Sequence, residues 1–187
     1  MTAQTFRPTS RNISSITNAN PAVVTTYIPH GYFDGIYVRI VFPDNFGMEP
    51  LSNQVFEAKI ISDTSFSIDA DTTQMSPFFN GVSLINFITS TNPVNVFVAS
   101  PQFTLGQQVI ISGVTSGPTA LNGVIFIVLR VTLGLVVSID RNGIGLPLYG
   151  SGGILQTTQS PQVIPVAEIS ATLQNAEKNN LTPIGGP

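Results

Sequence analysis

The chain of 187 residues has no cysteine, no tryptophan and one histidine, and only 9% of its residues are charged. Without cysteine, disulfides and thiolate zinc sites are excluded. An average soluble protein carries about 25% charged residues, so this surface does not rely on charge for solubility. Seven Lys and Arg in all, unclustered, with a net charge of −3, leave no basic footprint for a nucleic acid. No apolar run approaches the ~20 residues of a membrane-spanning helix. The start, Met1-Thr2-Ala3-Gln4-Thr5-Phe6-Arg7-Pro8, lacks the apolar core of a signal peptide. A protein made and kept in a cytoplasm is expected, with no nucleic acid and no membrane as partner.

What fills the place of charge is Ser, Thr, Asn, Gln, 16 Gly and 14 Pro, beside an ordinary 42% of hydrophobic residues. These polar residues and glycines supply turn conformations, and the composition points to an all-β protein. A chain of this length buries roughly 70% of its unfolded surface and folds without metal or disulfide. A charge-poor surface is poorly suited to a concentrated monomer, so neighbours are expected to cover much of it.

The stretch from Asn20 to Gly81 reads as one compact β unit. Short segments rich in Val, Ile, Tyr and Phe, such as Tyr37–Phe42 and Val55–Ile61, are separated by Gly, Pro, Asn and Asp, the spacing of a sandwich or barrel. Val55, Glu57 and Lys59 alternate with Phe56, Ala58 and Ile60, and Phe66 and Ile68 share a face, as half-buried strands require. Much of this unit then recurs. Asn92-Pro93 echoes Asn20-Pro21, Gly106 echoes Gly35, Ser138-Ile139-Asp140 echoes Ser67-Ile68-Asp69, and Pro147-Leu148-Tyr149-Gly150 echoes Pro77-Phe78-Phe79-Asn80. The matches keep their order at an offset of roughly 70–72 residues, the mark of an internal duplication.

The expected architecture is all-β, with two tandem related small barrels or sandwiches. Residues 1–12 form an N-terminal arm, 13–90 the first unit and 91–160 the second. Residues 161–187 form a C-terminal extension with one short helix over 167–178. The first unit should end in the apolar strand Val82–Ile88 and the second in Gly153–Gln156. The runs Val124–Leu129 and Leu133–Val137 are nearly uninterrupted, which suits strands covered on both faces.

Chemistry-bearing residues are sparse. His30 as a general base needs a partner and an orienting group; Asp34 is the nearest carboxylate, and the turn at Gly31 gives the ring a structural role instead. Asp63, Asp69 and Asp71 resemble the start of a calcium loop but lack its Gly and terminal Glu. Gly143, Gly145, Gly150, Gly152 and Gly153 are followed by no Gly-Lys-Ser/Thr and read as turns and bulges. Ser151 lacks the strand–turn–helix setting of a nucleophile elbow. Tyr32, Phe33, Phe78, Phe79 and Tyr149 would be a sugar-stacking platform or core; recurrence of Phe78-Phe79 as Leu148-Tyr149 favours core. No catalytic residue, cofactor or metal is expected, and the chain reads as a non-enzyme.

Several positions of the first unit carry a resemblance: Asn20-Pro21 with Val23-Val24-Thr25, His30-Gly31 with Gly35 and Val38, Gly47-Met48 with Leu51, Thr64-Ser65-Phe66-Ser67-Ile68, Asp71-Thr72 and Gly81. Together they resemble the first catalytic cysteine half-domain (FCCH) of ubiquitin-activating enzymes, a β module also found in bacteriophage virion proteins. The match covers about 60 residues well and the second unit more weakly, since His30-Gly31 and Gly47-Met48 have no clear counterparts there. The chain has no cysteine, so the resemblance implies a reused building block and not ubiquitin chemistry. It implies a structural protein of a phage tail, baseplate or neck, located in the virion and assembled in the host cytoplasm. Its partners would be other virion proteins and its own copies, joined in a homo-oligomeric ring through edge strands and extended termini. The alternative is a decoration or tail-fibre module that binds a glycan or receptor. Fold-level likeness alone does not choose between these.

Overall fold

The computed structural model describes residues 10–43, 45–99, 102–133 and 135–166. The helix expected over 167–178, most of the N-terminal arm and most of the C-terminal extension lie outside the described residues. Twelve strands are present among the described residues, and all fall into two closed six-stranded antiparallel barrels. The chain is an all-β protein of two related barrel units.

The first barrel is built from β1 (Arg11–Ile16), β2 (Ala22–Thr26), β3 (Tyr37–Val41), β4 (Val55–Ser62), β5 (Ser65–Ile68) and β12 (Gln162–Pro165), in the spatial order β1-β12-β3-β4-β5-β2. Two strands turn corners. β1 pairs with β12 through Arg11 and Asn12 and with β2 through Ile13–Ile16, with a register shift between Ile13 and Ser15. β4 pairs first with β3 and then with β5, with a shift between Ile60 and Ser62. An irregularity of this kind bends a strand so that it passes from one sheet to the next. The period of two then places Ile13, Val24, Val38, Ile40, Ala58, Phe66 and Val163 inside, each fully buried. Glu57 and Lys59 face out.

The second barrel uses β6 (Val82–Ile88), β7 (Val94–Val98), β8 (Gln108–Ser116), β9 (Ile125–Thr132), β10 (Val136–Ile139) and β11 (Ser151–Thr157), in the order β10-β7-β6-β11-β8-β9. Its core holds Val94, Val96, Val109, Ile111, Val128, Val137, Ile139 and Leu155.

The duplication seen in the sequence extends to individual hydrogen bonds. Gly35 N–H donates to Ala58 O and Gly106 N–H to Val128 O, at 2.9 and 2.8 Å. The Thr17 hydroxyl accepts from Val23 N–H and the Thr89 hydroxyl from Asn95 N–H, both at 2.9 Å. One-turn 3-10 helices at Glu49–Leu51 and Thr119–Leu121 precede β4 and β9 respectively.

The boundaries differ from those expected. Val82–Ile88 does not close the first unit; as β6 it pairs with β7 and β11 and opens the second barrel. Gln162–Pro165, expected to start an extension, is the strand that closes the first barrel between β1 and β3. Arg11 and Asn12 belong to β1 and not to an arm. The second unit accordingly takes in Phe79–Ser160 together with Pro43–Phe46. The first takes in the chain up to Phe42, Gly47–Phe78 and the segment from Pro161. The second barrel is thus an insertion in the sequence of the first. The reason is that a repeat records order along the chain, whereas closure is set by backbone bonds between distant strands.

Candidate functional site

His30 lies where the turn after β2 folds back on β5, buried to 2% exposure. The N–H of Tyr32 donates to its Nδ1 at 2.9 Å, so the ring proton sits on Nε2 and donates to Ser62 O at 2.9 Å. Its ring packs against Tyr32 and edge-on against Phe66, at 4.9 and 5.5 Å. Both nitrogens are spent on the backbone, so the residue pins the turn and faces no substrate. Asp34, its nearest carboxylate in sequence, instead accepts the N–H of Ile60 through Oδ1 at 2.8 Å.

The half-buried Tyr32 donates its hydroxyl to Val163 O of β12 at 3.2 Å. Burial pushes its phenol up to about 12, and the Arg11 guanidinium pulls it partly back. A phenol of ordinary value near 10 in the unfolded chain ionises first. The stability tied to Tyr32 is therefore complete below about pH 10 and lost as pH rises to about 12. Tyr32→Phe removes this titration. We expect its urea midpoint to fall less between neutral pH and about 12 than that of the parent. An equal fall in both proteins would contradict this placement.

Asp71 Oδ1 accepts from the Thr73 hydroxyl and the Thr73 N–H, at 2.6 and 3.0 Å, and these bonds hold its carboxyl below the usual range. It caps a turn, as a lone Asp after a strand commonly does. No group of three or more His, Asp or Glu side chains gathers around one point among the described residues. Ser151 begins β11, with its hydroxyl 3.2 Å from that of Thr115, and Gly152 and Gly153 continue the same strand at positive φ. The strand–turn–helix elbow is absent at that place.

Of the five aromatics only Phe79 is buried; Tyr32, Phe78 and Tyr149 are half-buried and Phe33 is 56% exposed, so the core reading holds for Phe79 and fails for Phe33. Tyr32 and Phe33 belong to the first unit, as does Phe78, which packs on Phe42. Phe79 is a core residue of the second unit, stacked on Phe46 and meeting Phe103 edge-on at 5.3 Å. Tyr149 lies against Phe87, and its hydroxyl donates to Ile85 O and Gly152 O. A shallow cleft of about 410 Å³ in the second unit is lined by Gly106–Gln108 and Thr157–Gln159. It presents only amides, hydroxyls and backbone. Gln107 already accepts Thr104 N–H, and the Thr157 hydroxyl already donates to Gln159 O.

The outside of the second barrel stands apart from all of this. On the β6-β11-β8-β9 sheet the register sets Leu84 opposite Ile154 and Ile110 opposite Ile125. Leu84 is 65% exposed and Ile125 57%, with Ile127 and Leu129 exposed next along β9. On the β6-β7-β10-β9 sheet Phe87 stands opposite Phe97 and Phe97 opposite Val136. Loops add Leu105, Ile144, Leu148 and Leu133, the last 92% exposed. From Phe79 to Ser160 the sequence holds only three charged residues, Arg130, Asp140 and Arg141. Asp140 is committed to the N–H of Ile127 at 2.7 Å. The run Val124–Leu129 lies mainly in β9, with Phe126 and Val128 buried and Ile125, Ile127 and Leu129 exposed. Of Leu133–Val137 only Val136 and Val137 are strand, and Leu133 and Leu135 are exposed in the turn before it. The expected cover on both faces is thus not met for β9 among the described residues. Polar residues stand among these apolar ones: Ser112 opposite Ile154, Gln156 opposite Ile110, Gln108 opposite Ile127, and the row Asn95, Ser138 and Arg130. Scattered exposed apolar residues are normal, but so many on a nearly uncharged exterior make this side the candidate interaction surface. The signal was present in the sequence as a local loss of charge, which a whole-chain average blurs.

No protein-family model matches the sequence, and no curated protein matches it.

Proposed function

We propose that this chain is a structural subunit of a bacteriophage virion, from the tail, baseplate or neck, that works by assembling into a homo-oligomeric ring. It performs no chemistry; its task is to present surfaces that fit other copies and neighbouring virion proteins. The observation that carries the proposal is the number of large apolar side chains exposed on the almost uncharged exterior of the second barrel. Covering such a face contributes about 25 cal/mol per Å² of apolar surface. A standard interface takes about 800 Å² from each partner. The phage assignment itself rests on the resemblance of the first unit to the FCCH module.

The route expected from the sequence runs through edge strands and extended termini. Both barrels close on themselves, and closure removes the strand edges that pairing between chains needs. Between complete barrels the exposed faces are therefore the surfaces left for contact, and a strand can join two chains only by replacing one that closes a barrel. A head-to-tail contact between unlike faces yields a ring when its rotation closes.

Light scattering on the full chain and on Ile127→Lys tests this. Ile127 points outward, so the lysine meets water in a monomer and an apolar neighbour in an assembly. The parent should show a fixed multiple of the chain mass and Ile127→Lys a monomer with unchanged thermal midpoint. A parent that stays monomeric at its highest soluble concentration, or an assembly indifferent to the lysine, would sink the proposal. In the first case a glycan array becomes the next experiment, with the exterior rings of Phe87, Phe97 and Tyr149 as the stacking group.

A further inference from the structure

We infer that β12 is an exchangeable strand: in the assembled protein, the first barrel of one chain is closed by Gln162–Pro165 of a second copy. The inference rests on the assembly proposed above and names a joint through which copies hold one another.

β12 is bound differently from every other strand of its barrel. β1 is held by β2, β3 by β4, and β4 by β5, each a neighbour in sequence. β12 pairs only with β1 and β3, with the whole second barrel intervening in the chain. Pairing over such a separation forms late, because the loop must close before any contact forms. Until it forms, β1 and β3 present unpaired backbone groups, which are a template for any strand of the right pattern.

The repeat deepens that vacancy. β6 follows β5 in the order in which β11 follows β10, with Gly81 and Gly152 both at φ +82° just before or within these strands. The strand that chain order offers to the first barrel is thus taken by the second. The first must accept a strand from elsewhere.

Nothing in the seat of β12 distinguishes its own strand from a copy's. The register sets Val163 opposite Ile40, Ile164 opposite Arg39 and Pro165 opposite Val38. Ile13 N–H donates to Pro161 O at 2.9 Å and Val166 N–H to Tyr37 O at 2.7 Å. Val163 is wholly buried and receives the Tyr32 hydroxyl. An identical strand from a second chain makes identical bonds. The choice is then set by effective concentration and by the connection from β11. That connection is short: Thr157 ends β11, Gln162 starts β12, and of the four residues between them Thr158, Gln159 and Ser160 are exposed and Pro161 is buried. Short hinges invite exchange between copies. A chain that gives one strand and receives one makes a head-to-tail contact, the kind that closes into a ring.

Cutting the chain before β12 would not test this, since the first barrel would simply lose its closing strand. A disulfide does. Arg39 and Ile164 stand directly opposite on the outer side of β3 and β12, and the chain has no other cysteine. Opposed residues place their Cβ atoms about 5 Å apart, close enough for Arg39→Cys and Ile164→Cys to bond after a small adjustment. Oxidised in the assembled state and run on a denaturing non-reducing gel, the double variant should give a ladder of covalently joined chains. If only intrachain-bonded monomer appears while light scattering still shows the oligomer, exchange is overturned and the assembly stands. If the protein is monomeric and the bond intrachain, both fall. Should the double variant not fold, chains carrying only Arg39→Cys and chains carrying only Ile164→Cys are unfolded together and refolded. A mixed disulfide is then expected under exchange, and its absence rejects it.

Discussion

Phe46→Ala is expected to destabilise the second barrel by about 3–5 kcal/mol, the usual cost of emptying a buried phenylalanine site, and to spare the first. In sequence Phe46 lies between β3 and β4, both strands of the first barrel. Its side chain is nonetheless fully buried in the second unit. It stacks on Phe79 at 6.0 Å, its carbonyl accepts the Phe79 N–H at 2.7 Å, and its ring lies against Gly81. Phe79 in turn meets Phe103. Removing the first ring leaves a cavity beside two others. Amide exchange resolved to single residues gives the measurement. Protection at Val128 and Val137 should collapse, while Ile40 and Val24 keep theirs. Faster exchange confined to the first barrel would show that the segment serves the strands it connects.

The second large effect is at Gly117. Its φ is +103°, and a Cβ built there would run into Leu148 O and Tyr149 Cα. A side chain thus meets both a left-handed backbone, costing roughly 1–2 kcal/mol, and an overlap with main chain that cannot swing aside. Forced overpacking adds roughly 1–3 kcal/mol. Gly117→Ala should therefore cost about 3 kcal/mol or more. Gly123 provides the control, with φ +75° and no atom within 4 Å of the added carbon. Gly123→Ala should cost only about 1 kcal/mol. Urea midpoints of the two variants decide the matter; equal midpoints would mean that the crowding at Gly117 is relieved at no cost. Gly47 repeats the constraint in the first unit, where the added carbon would overlap Pro77 O at φ +71°. Gly117, like Gly47, stands two residues before its unit's 3-10 helix, so the structure supplies the counterpart of Gly47 that the sequence did not show.

The all-β class, the duplication, most strand positions and most turns are legible in the residues themselves. Those features are local. Alternation along Val55–Ile60 or Ser65–Ile68 reports which side faces inward, and the observed burial of Ala58, Phe66 and Ile68 follows it. Recurrence of Asn-Pro, Gly and Ser-Ile-Asp at a constant offset reports the repeat. The structural role of His30 was legible too, because Gly31 beside it marks a turn. Which strand closes which barrel emerges only when the chain is folded. The fold assigns Val82–Ile88 to the second barrel and Gln162–Pro165 to the first, and it parts two adjacent residues, sending Phe78 to Phe42 and Phe79 to Phe46. Strand pairing is made by backbone N–H and C=O groups that every non-proline residue carries alike. A strand's partner is therefore written in no residue of its own, and a repeat tells the order of strands but not their closure. The bare outer face of the second barrel was hidden for a related reason. A continuous apolar run reads the same whether its second side is covered within the chain or left for a neighbour.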